Sequence, residues 1–164
     1  MEREQMESNK ELIELFEKVP QEKLLTIFNR HGVKPEEGVQ YLVDEISLDG
    51  ANTIASIFRG WKGISYDEIV KDVARKFNVH AEESTVEEIE LEILEFVLQL
   101  TEKLSSREKQ DVVKAVRGTT LNGMVLPLLR NKKIGNALIE NSGIPYRKII
   151  PTVLEIALLR IEFS

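Results

Sequence analysis

The sequence predicts an all-α protein, a compact single-domain bundle of about eight to ten helices around central helices at 84–104 and 145–163. Three observations carry that expectation. Serine followed three residues later by glutamate, the capping-box signature of a helix start, occurs at Ser8–Glu11, Ser65–Glu68, Ser84–Glu87 and Ser105–Glu108. After each box the apolar residues recur at three- and four-residue steps, the period of a helix face. No segment alternates with the period of two that marks a half-buried strand.

Taken in order, the first helix is expected from Ser8 to about Val19, with Leu12, Ile13, Leu15 and Phe16 facing inward and residues 1–8 disordered or frayed. Pro20 stands at the first turn of a second helix, where its missing N–H costs nothing. Leu24, Leu25, Ile27 and Phe28 form its core face, and Gly32 ends it. Pro35 starts a third helix to about Ile46, burying Val39, Leu42, Val43 and Ile46. Asp49-Gly50 reads as a turn, with a short helix over 51–60 after it. Gly60 and Gly63 bracket a compact loop that holds Trp61. The Ser65 box then opens a helix whose core residues are Ile69, Val70, Val73 and Phe77.

The stretch 84–104 is the longest segment without a breaker. Val86, Ile89, Ile93, Phe96, Val97, Leu100 and Leu104 draw an apolar stripe, and Leu91, Leu94 and Leu98 widen it. The expectation is a helix buried on most of its circumference. Seven acidic residues and no basic ones lie between Glu82 and Glu95. Those in the first turn suit the positive end of the helix dipole, and the rest read as a solvated face. The Ser105 box leads into another helix. Gly123 and Pro127 then predict a broken or kinked helix, and 133–140 supplies a further turn or two. The last helix, near Pro145 to Phe163, is apolar on nearly every side. It is too short to span a bilayer and too apolar for a surface, so it reads as the core helix.

Composition bounds the function. Residues that are 42% hydrophobic and 30% charged place the chain among soluble globular proteins. With no cysteine, disulfides, thiolate metal sites and cysteine nucleophiles are excluded. The polar N-terminus has no apolar core of a signal peptide. Residues 1–104 hold 12 basic and 23 acidic residues, a net of −11, whereas 105–164 hold 10 and 5, a net of +5. Either the two parts attract each other in the fold, or the basic part meets an anionic partner.

Motifs for catalysis are lacking. There is no Walker loop, dinucleotide fingerprint, nucleophile elbow or zinc-type HExxH. No Glu-x-x-His pair is present for a di-metal bundle. No enzyme activity, metal or cofactor is therefore expected. His31 and His80 each stand beside a helix end and read as capping or surface residues. Tyr66, Asp67 and Asp72 are candidates to line a pocket beside the loop, although capping alone explains Asp67. The basic residues carry only Tyr146 as an interleaved aromatic, a poor footprint for nucleic acid. The candidate partner- or membrane-facing residues are Trp61, as an anchor, and Arg130, Lys132, Lys133, Arg147 and Lys148.

The run DGANTIASIFRGWKGISYDEIVKDVARKFNV resembles the YaaW family of uncharacterised bacterial proteins, a group also classed with ubiquinol–cytochrome c chaperones. There a D-S-I-A-N-x-L-R-G-x-G run precedes a tyrosine and a helix of this pattern. The resemblance continues through STVEEIELEILEFVLQLTEKLSSREKQDVVKAV, VLPLLRNKK and PYRKIIPTVLEIALLR, and is most specific at Ile54–Val79 and Tyr146–Arg160. It implies no catalytic residues. Family members carry a long glycine-rich apolar stretch, similar to a membrane-entering hairpin, where this chain has only the junction 140–144. The resemblance thus implies a non-enzymatic cytoplasmic protein, peripheral at the bacterial inner membrane, whose basic residues flank the hairpin position. The alternative is a soluble chaperone or adaptor that binds a helical partner in a groove.

Overall fold

The computed structural model describes residues 2–53, 63–79, 82–117, 119, 122–139 and 146–164. Trp61, His80 and the junction 140–144 lie outside the described residues. Within them the chain is all-helical, with no strand. The helices are α1 Glu2–Lys18, α2 Gln21–Arg30, α3 Val39–Thr53, α4 Tyr66–Lys76, α5 Val86–Glu102, α6 Ser106–Val116, α7 Val125–Arg130, α8 Lys132–Ile139 and α9 Tyr146–Phe163. Single 3-10 turns precede α3, at Pro35–Glu37, and α7, at Asn122–Met124.

The axis of the structure is α9. Every side chain from Ile149 to Ala157 is buried, and α1, α2, α3, α4, α5, α7 and α8 all pack against it. This is the core helix that its all-round apolarity predicts. Ile161, at its far end, is more than half exposed. By contrast α5, which packs along α9, buries a single face made of Ile89, Glu90, Ile93 and Val97. Leu91 and Leu98 stand in solvent, which corrects the expectation of a helix buried nearly all round. The reason is electrostatic. Glu88, Glu95 and Glu102 share the side that holds those leucines, and unpaired carboxylates resist burial. Leu25 of α2 is likewise exposed rather than core.

Helix boundaries follow the capping chemistry, with three corrections. The helix α1 begins at Glu2, so residues 2–8 are helical and Ser8 is no cap. Ser8 and Asn9 serve a different helix. The backbone N–H groups of Asp67 and Tyr66 donate to Ser8 Oγ (3.0 Å) and Asn9 Oδ1 (3.1 Å). Together with the Ser65–Glu68 box, they satisfy the first three amides of α4. At α5 the box is Thr85–Glu88, one residue beyond the expected pair. Thr85 N–H donates to Glu88 Oε2 at 2.8 Å, and Glu88 N–H donates to Thr85 Oγ1 at 3.3 Å. Both registers satisfy the signature, and the Thr85 register places Val86 at the first helical position, packed on the core. Thr85→Ala is expected to cost about 0.5–2 kcal/mol in urea unfolding, and Ser84→Ala clearly less. Equal costs would return the cap to Ser84. The Ser105–Glu108 box forms as expected.

The third correction is at Asp49-Gly50, which lies inside α3 rather than in a turn. Gly50 is where α3 and α4 meet most closely, since a Cβ there would sit 2.5 Å from the Ile69 side chain. The glycine is a packing residue. Downstream, Ser47 Oγ donates to the Ile64 carbonyl and Ile64 N–H returns to the Ser47 carbonyl, tying the entry of α4 to α3. The third helix accordingly begins at Val39, after the 3-10 turn and Gly38, whose φ is +89°. The helix expected to break in this segment does so, but at Asn131, between α7 and α8. Gly123 lies in the 3-10 turn and Pro127 within the first turn of α7, where a missing N–H is tolerated.

Candidate functional site

Two kinds of polar feature stand out. One is the exposed cations that the sequence singles out; the other is a pair of buried networks that it does not.

The cations fall into two groups on packed elements. Arg130, Lys132 and Lys133 occupy the α7–α8 corner, and all three are exposed. Asn131 makes that corner. It ends α7, and its Oδ1 accepts the N–H groups of Lys133 (3.0 Å) and Ile134 (3.2 Å). Gly135 is required there, because a Cβ would collide with the Leu129 carbonyl. Arg147 and Lys148 are exposed on the first turn of α9, which packs on α7 and α8. Two of the five cations are engaged. Lys133 pairs with Glu108 at 3.0 Å, and Lys148 lies 3.8 Å from Asp49. The Lys133 ammonium, and then the cap bond with Ser105, hold the Glu108 carboxyl below its ordinary value of 4.5. Arg130, Lys132 and Arg147 have no ion pair among the described residues.

The first buried network clamps α2 and α3 to α9. It begins with the end of α2, where Gly32, at φ +67°, closes the helix. Val33 N–H donates to the Phe28 carbonyl (3.0 Å) and Gly32 N–H to that of Asn29 (3.2 Å), a Schellman closure. That closure fixes Arg30 and His31 against α9. Arg30 Nη1 donates to Glu155 Oε2 (2.7 Å) and to Thr152 Oγ1 (3.1 Å). His31 Nδ1 lies 2.6 Å from Asp49 Oδ2, and its Nε2 lies 2.8 Å from Thr152 Oγ1. An ionised carboxylate only accepts, so Nδ1 donates to Asp49; in the neutral ring Nε2 then accepts from the Thr152 hydroxyl. His31 is therefore a buried linker, not a surface residue. Glu155 and Thr152 are wholly buried, and Arg30 Nη2 and Glu155 Oε1 have no hydrogen-bond partner among the described residues. Burial pushes the Glu155 carboxyl above its ordinary 4.5, against the pull of Arg30.

Asp49, His31 and Thr152 have the carboxylate–imidazole–hydroxyl connectivity of an activated nucleophile. Access decides against that chemistry. Thr152 has no solvent exposure, and its oxygen already accepts from Arg30, so no reacting carbon can approach it. The arrangement holds helices together.

The second network joins α4, α5 and α9. Tyr66 donates its hydroxyl to Glu90 Oε1 at 2.9 Å. Arg160 grips the same carboxylate through Nε (2.7 Å to Oε2) and Nη2 (3.2 Å to Oε1), and its Nη1 lies 3.5 Å from Glu87. Burial raises the Glu90 carboxyl above 4.5 despite Arg160, and raises the Tyr66 phenol, with Glu90 adding to the shift. Glu90 is thus the exception to the solvated acidic face expected over 82–95. Its spacing of three from Ile93 and seven from Val97 puts it on the core side, a signal legible in the sequence. Tyr66 is buried in the core. Asp67 pairs with Lys71 at 2.8 Å, and Asp72 lies 3.9 Å from Arg75.

Among the described residues no group of three or more histidine, aspartate and glutamate side chains is placed to hold a metal. No helix among them is long and apolar enough to cross a membrane. The class that fold and site define is an all-helical bundle with ion pairs buried in its core and an exposed basic edge. The chain matches no protein-family model, no curated protein and no solved structure.

Proposed function

We propose that this is a non-enzymatic helical protein that works at an anionic membrane surface, with its basic edge toward the lipid. The observation that carries the reading is the placement of Arg130, Lys132 and Arg147, all exposed and without a carboxylate partner among the described residues, on α7, α8 and the start of α9. These elements flank positions 140–144, where the resemblance to the YaaW family puts an apolar hairpin. A free lysine or arginine near an anionic leaflet contributes on the order of 1 kcal/mol. Three of them give about 3 kcal/mol, roughly a hundredfold in binding, which is too little for stable attachment without a second signal. The hairpin supplies that signal in forms that carry it.

The test compares two forms on vesicles of anionic and of neutral lipid. The chain as it stands is expected to bind anionic vesicles weakly and to release with salt, within the ~8 Å screening length of physiological buffer. A form with an apolar, glycine-rich hairpin inserted at 141–143 is expected to bind tightly and to keep its cooperative unfolding. Arg130→Glu, Lys132→Glu and Arg147→Glu together should abolish the preference for anionic lipid. Equal binding to both lipids, or an insertion that unfolds the protein, would refute the reading.

A second reading, a soluble chaperone or adaptor that takes a helical partner, is favoured by one observation. Leu91 and Leu98 project from α5 into solvent with nothing on them.

A further inference from the structure

We propose that the chain self-associates, the exposed face of α5 in one copy seating on the exposed face of α6 in a second. This is independent of the membrane reading and gives the uncovered leucines of α5 a specific occupant.

The α5 face has the spacing of a helix–helix seam. Leu91, Leu94 and Leu98 step by three and four residues, with Leu91 53% and Leu98 62% exposed. Glu88, Glu95 and Glu102 follow at seven-residue intervals along one rim, all exposed. The other rim is the body of the protein. A helix laid on this seam meets carboxylates along its open side, so it must bring cations. That same rim repels an anionic lipid surface.

The complementary face lies next along the chain. No residue of α6 is fully buried. Val113 is 60% exposed, Val112 and Val116 are half-buried, and Lys109 and Lys114 stand in solvent without an ion pair among the described residues. Leu91 to Leu98 and Lys109 to Val116 each span a step of seven residues, about 10 Å of helix, so the two seams match in length. Within one chain both faces stay uncovered. Only Lys103, Leu104 and Ser105 separate α5 from α6, and α6 packs on α7. A two-fold axis would let α5 of each copy meet α6 of the other, doubling both the apolar contact and the glutamate–lysine pairs.

The full chain is examined by sedimentation equilibrium across a wide concentration series. A monomer–dimer equilibrium that weakens with added salt is expected. Leu98→Glu and Val113→Glu, both at exposed positions, should each weaken it about tenfold or more. The native chain has no cysteine, which gives a clean cross-linking background. A Leu98→Cys chain mixed with a Val113→Cys chain and oxidised should yield the mixed disulfide well above either like pair. A chain that stays monomeric throughout overturns the proposal, as does a dimer that both glutamate substitutions leave intact. Like-with-like cross-links alone would also overturn it. So would a basic amphipathic peptide binding α5 of a monomeric chain, which would assign the face to a different partner.

Discussion

Glu155→Leu is expected to destabilise the protein by about 3–5 kcal/mol, because it strands the Arg30 guanidinium in the core. Arg30→Met in the same chain should recover most of that loss. The double variant goes further than recovery: among the described residues Arg30 Nη2 and Glu155 Oε1 lack partners, so the native pair is incompletely compensated. Removing both charges is therefore expected to be neutral or stabilising. Chemical denaturation of the four chains in the cycle measures this. A double variant as unstable as Glu155→Leu would show that the pair contributes net stability. A pH series gives an independent reading. Burial holds the Glu155 carboxyl above 4.5, so the folded protein keeps its proton where the unfolded chain has released it. The stability due to that proton is fully present below about pH 4.5 and is lost as pH rises through the raised value. Glu155→Gln carries no such group. Wild type should thus lose stability relative to Glu155→Gln as pH climbs from 4.5, and parallel curves would contradict the assigned direction.

Leu154→Ala and Ile93→Ala are each expected to cost about 2–5 kcal/mol, since both side chains lie in the core where α9 meets its neighbours. Leu25→Ala removes the same kind of side chain from an exposed position and should cost about 0.5 kcal/mol or less. Unfolding midpoints of the three variants decide it. Similar losses in all three would mean that burial does not rank these positions.

The contrast between those leucines marks how much was legible. Local signals read well. Two serine boxes cap where expected, the last helix is central, and the segment that holds Gly123 and Pro127 is broken, at Asn131. Errors arose where a local signature has two uses. Asp-Gly reads as a turn, but Gly50 serves the close approach of α3 and α4. Ser8 reads as a cap, and it does cap, but for a helix whose first residues lie nearly sixty positions away. Apolar spacing on α5 marked leucines as core, while the glutamates beside them kept that face in water. The buried networks were half legible. A charge inside a helix as apolar as α9 must be buried and must have a partner. Which partner cannot be read from spacing, because Arg30 and Glu155 are 125 residues apart. Among the candidate site residues, the exposure of the cations followed from their chemistry. Their carboxylate neighbours, Glu108 and Asp49, depend on tertiary packing.

That separation between Arg30 and Glu155 has a consequence for how the protein is made. Synthesis is vectorial, and α9 is the last of these helices to leave the ribosome. At typical elongation rates of about 5–20 residues per second, the roughly 60 residues from the end of α5 to the end of α9 keep α1 to α5 waiting for about three to twelve seconds. During that interval the slot for α9 is unfilled, and Arg30 and His31 have no Thr152 or Glu155 to meet. Early helices can form from their own caps, but their inner faces cannot close on one another. Folding of this bundle is therefore completed only once α9 has emerged. A ribosome that stalls before α9 releases a polypeptide with apolar surface exposed, a substrate for chaperones and proteases.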